Sequence, residues 1–180
     1  MKTSKTLMFA ATVFMLNTMI MINTASAQGR VKASTTKSNP EGGVTTARGS
    51  AAKSKNGGGL ARTRGASSNG QGQVKGGGAT VVKGSNGGIA GRAGKFSADD
   101  SGNVNYQGAA SATGSNGSAA TTGGFSRSES GGVRGSRSTT ATANNGSSYD
   151  GNTTYQTGDG VTHTQVCHNA QGQVIACPND

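Results

Sequence analysis

Beyond residue 27 the apolar side chains are few and evenly spread. A valine recurs as Val44, Val74, Val104, Val133 and Val161, and an aromatic as Phe96, Phe125 and Tyr155, with only Ala66 or Ser67 at the matching place in the first unit. Between them lie Ala, Gly, Ser and Thr, and the alternation is clearest in Val104-x-Tyr106-x-Gly108-x-Ala110-x-Ala112. A period of two places such residues on one side of a strand. The face this predicts is flat, small-residued and marked by a sparse row of Val and aromatics. That suffices to stack strands and not to fill a core.

Each valine but the last follows a turn-forming segment. The segment reads Asn39-Pro40-Glu41-Gly42-Gly43, Asn69-Gly70-Gln71-Gly72-Gln73, Asp99-Asp100-Ser101-Gly102-Asn103 and Ser128-Glu129-Ser130-Gly131-Gly132, at steps of 30, 30 and 29 residues, and returns as Asn169-Ala170-Gln171-Gly172-Gln173 before Val174. Asn, Asp or Ser first and Gly fourth suit a type I turn followed by a left-handed residue, which is the three-residue hairpin loop with a bulge. A second turn lies 17 residues into each unit, at Asn56-Gly57-Gly58, Asn86-Gly87-Gly88, Asn116-Gly117 and Asn145-Gly146. These sites suit a tight two-residue loop. The 11 to 12 residues between turns accommodate a strand and its ends.

The fold class is therefore all-β and repetitive. An antiparallel meander of hairpins and a β-solenoid of about 30 residues per coil both fit such a repeat, and the bulged hairpin turns favour the meander. A chain ordered only on assembly is a third option. Val, Ile, Leu, Met and Phe supply just fifteen residues after position 27, too few for an ordinary two-layer domain.

The chain begins with Lys2 and Lys5, runs apolar from Leu7 to Ile22 and reaches Ala25-Ser26-Ala27, the pattern of a secretory leader cleaved before Gln28. The chain divides into this leader over 1–27, a polar basic arm over 28–38, four repeats over 39–68, 69–98, 99–127 and 128–157, and a terminal hairpin over 158–180. The arm lacks periodicity and reads as flexible. In an exported chain Cys167 and Cys177 are expected to pair. They flank the last turn, and the sequence leaves open whether they lie directly opposite or two residues out of step. The hairpin they close looks like a cap on the open end of the array.

Charge is the most informative functional signal. The whole chain carries +10. Residues 28–98 hold twelve Lys and Arg against Glu41 alone, whereas residues 99–180 hold Arg127, Arg134 and Arg137 against six carboxylates. If Gly57-Gly58 and Gly87-Gly88 are the two-residue loops, Lys53 faces Arg62 and Lys83 faces Arg92. Lys55 and Arg64 then share the face of the first pair, and the third repeat has Thr113 facing Thr122. Opposed like charges are unfavourable alone. These six cations therefore form a candidate anion-binding cluster, for lipopolysaccharide phosphate, an anionic polysaccharide or extracellular DNA. The competing reading is that exposed cations keep an edge-rich sheet soluble.

Other chemistries are poorly supported. His163, Cys167, His168 and Cys177 invite a metal, but a disulfide consumes both thiolates, so no metal or cofactor is expected. Neither histidine has a carboxylate at triad-like spacing, and the glycine runs lack the Gly-Lys-Ser/Thr ending of a phosphate-binding loop, so the chain is not read as an enzyme. The Arg-Gly pairs at 48, 64 and 134 have no interleaved aromatics in the basic region, which weakens an RNA-binding reading.

The alternation of Asn-Gly-Gly turns with x-x-x-Gly-x-Val turns over residues 39–177 resembles secreted bacterial glycine-rich repeat proteins, a group without an established activity. The resemblance implies export and a repetitive β architecture. The expected function is a structural or adhesive component, exported to the periplasm, cell surface or outside, with no integral membrane segment after cleavage. Self-association into a fibre is the alternative.

Overall fold

The computed structural model describes residues 29–40 and 42–177. The leader expected over 1–27 lies outside them. Eleven strands follow one another: β1 (Gly29–Ser38), β2 (Val44–Lys53), β3 (Gly59–Ser68), β4 (Val74–Lys83), β5 (Ile89–Ala98), β6 (Val104–Gly114), β7 (Gly117–Arg127), β8 (Val133–Ala143), β9 (Ser148–Gln156), β10 (Gly160–His168) and β11 (Val174–Ile175). Each pairs antiparallel with the next, in one open sheet ordered as the chain runs. This is the hairpin meander, not the solenoid.

The sheet is one layer thick, so the ladder of backbone hydrogen bonds holds it together, helped by side-chain pairs on each face. Among the described residues the only buried apolar side chains are Cys167 and Cys177, at 5% and 8% exposure. Phe96, Tyr106, Phe125 and Tyr155 all remain about two-fifths exposed or more.

The loops explain the phase of the repeat. Before β6 the Asp99 amide donates to the Asn103 carbonyl at 3.1 Å and the Gly102 amide to the Asp99 carbonyl at 3.1 Å, with Gly102 at φ +83°. Only glycine enters that left-handed position without a Cβ clash. The first residue also closes the loop with its side chain. Asn69 Oδ1 accepts from the Gln71 and Gln73 amides at 2.9 and 3.0 Å, and Asn169 Oδ1 accepts from those of Gln171 and Gln173 at 3.0 and 2.9 Å. In the Asp99 loop the Asn103 side-chain amide, helped by the Asn103 and Ser101 backbone, holds the carboxyl below its ordinary pKa.

The second set of loops departs from the expected two-residue turns. The Gly57 amide donates to the Ser54 carbonyl, Gly87 to Gly84 and Gly146 to Ala143, at 3.3, 3.2 and 2.9 Å. These are the same bulged three-residue loops, with the left-handed residue at Gly57, Gly87 and Gly146. The tandem glycines after Asn56 and Asn86 offered two places for it, and the first is used. A two-residue link occurs once, at Ser115-Asn116, where Gly114 pairs with Gly117. There β6 and β7 each gain a residue while the stretch between strand ends shrinks from five residues to two, which absorbs the 29-residue step. The side of the sheet occupied by even residue numbers up to β6 passes to odd numbers from β7 onward.

Residues 29–38, expected to be a flexible arm, are strand β1, paired with β2 at all ten positions. The turn at Asn39 needs two arms, and the Ser, Thr and Val of this segment are comfortable in a strand. At the other end β11 pairs only Val174 and Ile175 with His168 and Cys167. The cysteines are thus two positions out of step, the bulged alternative, and they form a disulfide with Cα atoms 5.3 Å apart. The Asn169 loop sets this register through its own hydrogen bonds, and Cys177 reaches Cys167 diagonally.

Candidate functional site

Register decides which side chains share a face, because a shift by an odd number of residues moves a side chain to the opposite face. The expected register of the basic hairpins was off by three. Lys53 pairs with Gly59 and not with Arg62, and Lys83 pairs with Ile89 and not with Arg92. In the third repeat the offset is four, with Thr113 paired to Ser118 and Thr122 to Ala109, so the two threonines still share a face. In the two basic hairpins the three-residue loops cause the difference. As a result Lys53 and Lys83 stand on the opposite face from Arg62, Arg64 and Arg92, and Lys55 lies in the β2–β3 loop. The six-cation cluster does not exist as drawn from sequence.

A different one does. Following partners across the ladders, Arg30, Arg48, Arg62, Arg64, Arg92, Arg127 and Arg137 all fall on one face, together with Lys32. The opposite face carries Lys37, Lys53, Lys75, Lys83 and Lys95, with Arg134. Among the described strand residues the one carboxylate, Asp150, is on the lysine face. All five described aromatics (Phe96, Tyr106, Phe125, Tyr149 and Tyr155) are on the arginine face, as are Val44, Val74, Val104 and Val133. The predicted common face of valines and aromatics is therefore present, and the arginines share it.

On this face three rows of side chains run side by side across the strands. The middle row reads Arg48, Arg64, Gly78, Gly94, Gly108, Gly123, Arg137. One flanking row reads Lys32, Ser50, Arg62, Thr80, Arg92, Ala110, Thr121. The other reads Ala66, Gly76, Phe96, Tyr106, Phe125, Gly135, Tyr155. Four consecutive glycines thus floor an open trough of about 870 Å³ with arginines at both ends. A hollow of about 420 Å³ continues it toward β1, lined by Arg30, Lys32, Arg48, Arg62 and Arg64.

The glycines let the rings lie down. A Cβ on Gly108 would sit 2.6 Å from the Tyr106 hydroxyl, one on Gly94 2.9 Å from it, and one on Gly76 2.7 Å from Phe96 Cε1. The rings therefore rest over bare backbone, a known way of covering strand glycines. Tyr106 and Phe125 stack at a centroid distance of 5.7 Å. Arg137 is positioned by its Nε–H donating to Thr121 Oγ1 at 3.1 Å, and Thr139 Oγ1 donates to the same oxygen at 3.1 Å. Arg48 and Arg64 face each other directly.

A larger groove of about 1050 Å³ runs along the loop row from Asn39 to Thr157, but Asp99 lines it beside Lys75, Arg127 and Arg134, so its charge is mixed. Among the described residues no group of three His, Cys, Asp or Glu is placed to hold a metal ion. His163 Nδ1 lies 2.8 Å from Thr153 Oγ1 on the arginine face, and His168 is on the other face beside Ser148. Comparison with protein families, curated proteins and solved structures finds no match for this chain.

Proposed function

We propose that this is an exported, non-enzymatic structural or adhesive repeat protein whose basic N-terminal half holds anionic polymers of the cell envelope or matrix. The observation that carries the reading is the direct Arg48–Arg64 pair on a face that has no carboxylate among the described strand residues. Two guanidinium groups opposed across a ladder repel each other, and an anion laid over them removes that cost. A solubility role asks only for dispersed charge. Export is supported by the leader-like sequence and by the disulfide, which suits an oxidising compartment. Among the described residues no helix is long and apolar enough to cross a membrane.

The test is binding of residues 28–180 to isolated envelopes across a salt series, beside a variant with Arg48, Arg62, Arg64 and Arg92 changed to Gln. Binding should fall steeply with salt, as counterion release requires, and the variant should lose the salt-sensitive part. Equal binding by the variant would sink the proposal.

A second reading, self-association into a fibre, is favoured by the sheet edges. Strand β1 is paired along only one side, and β11 covers just two residues of β10. Unprotected edges of this length are templates for another strand. Sedimentation at low salt and high protein concentration decides it, and a persistent monomer removes this reading.

A further inference from the structure

We infer that the arginine face is a track for an extended acidic polysaccharide lying across the strands, with one acid group for every two sugars. This rests on the anionic-polymer reading above and narrows it to a face, a direction and a ligand class.

The first observation is sorting by type of cation. Seven arginines gather on one face while five of the six strand lysines take the other. Lysine and arginine serve solubility equally well, so charge alone gives no reason to separate them. The guanidinium differs in being a planar fork that grips a carboxylate through two parallel hydrogen bonds and stacks on flat groups. Its segregation marks the face that meets oxyanions.

The second observation is the trough. From Arg64 on β3 to Arg137 on β8 its floor is backbone, over a span of about 24 Å at ~4.8 Å per strand. Along one wall the exposed Tyr106 ring lies over the glycine floor, with the exposed Phe125 ring stacked beside it. Such rings offer a flat apolar surface to the C–H face of a sugar, while Arg92 on the facing row and Arg64 and Arg137 at the two ends stand ready for its acid groups. The trough crosses the strands, so it suits a linear polymer better than a compact ligand.

The third observation is pitch. Lys32, Arg62 and Arg92 occupy one row on β1, β3 and β5, so cations recur every second strand, about 9.6 Å apart. The repeat period of the chain imposes this interval. A nucleic-acid strand carries a phosphate at every nucleotide, ~3.4 Å apart when stacked, which is too dense for the row. A linear glycan with a uronic acid at every second sugar matches it.

The test uses residues 28–180 in the oxidised form at one fixed salt concentration. Three probes are titrated: an alternating glucuronate–N-acetylglucosamine polymer, a polygalacturonate with an acid on every sugar, and oligo(dT). Two variants remove equal charge from opposite faces, R62Q/R92Q and K75Q/K95Q. The alternating polymer should bind most tightly. R62Q/R92Q should weaken it by about tenfold or more, as expected for loss of charge-assisted contacts, and K75Q/K95Q by less than about twofold. Phe125→Ala should weaken it without altering the salt slope, because the ring carries no charge. Equal losses from the two charge pairs, or tighter binding of polygalacturonate or oligo(dT), overturn the track while leaving the polyanion reading intact. Failure of the unaltered chain to bind any probe overturns both.

Discussion

Exchanging both cysteines for serine is expected to release the last strand and fray the sheet from its C-terminal end. β11 is held to β10 by two residue pairs and by the disulfide, and the two sulfurs belong to the only apolar side chains buried among the described residues. In the chain-entropy model a loop of this size contributes about 2–3 kcal/mol. The loss should be local. Each strand contacts only its neighbours, so stability is a sum of nearest-neighbour terms and an end can open without the middle. Native-state hydrogen exchange of the C167S/C177S chain should show lowered protection in β10 and β9, and unchanged protection in β3 to β5. Uniform loss along the chain would show that the hairpin stabilises the whole sheet, and no loss would show that it is not a cap.

The second large effect is expected at Gly123. A Cβ there would stand 2.5 Å from the Ser136 carbonyl oxygen and 3.1 Å from the Arg137 Cα, both backbone atoms of β8 that cannot swing away. Gly123→Val should therefore part β7 from β8 locally and cost about 1–3 kcal/mol, the usual range for overpacking. Gly114→Val is the control, since nothing lies within 4 Å of its Cβ position. A thermal melt of the pair should show a clear drop for the first and a small change for the second. Equal behaviour would mean that the glycine row is not closely packed. The same Gly123 variant narrows the trough, so its polymer affinity should fall with its stability.

Much of the fold was legible because its turns are marked by residues with little choice. Gly42, Gly102, Gly131 and Gly172 hold positive φ values that other residues resist, and their spacing announces the hairpins. The valine and aromatic face was legible too, since period two survives any even shift. What failed was register at the tandem glycines. Gly57-Gly58 and Gly87-Gly88 each permit either a two-residue loop or a bulged three-residue one, and exchanging one loop type for the other changes the pairing by an odd number. That step decided where Lys53 and Lys83 point. The arginine face could not be read for the same reason, because sorting by face exists only once every pairing is known. Strand β1 was missed because its sole apolar marker is Val31, and that side chain points to the lysine face. The cysteine pairing was readable from compartment and spacing, but its diagonal geometry depends on the hydrogen bonds of the Asn169 loop.

A sheet one layer thick keeps most of its side chains wet even when folded. Heat capacity rises on unfolding mainly because apolar surface becomes hydrated, and denaturant sensitivity follows the same newly exposed area. Here the rings of Phe96, Tyr106 and Phe125 already expose about two-fifths of their surface to water, so melting uncovers less apolar surface than it would from a closed core. The stability curve is therefore expected to be broader and shallower against temperature than that of a protein with an oily core. Such a sheet is expected to keep its shape over a wide thermal range for that reason, and its strength comes from hydrogen bonds added one strand at a time.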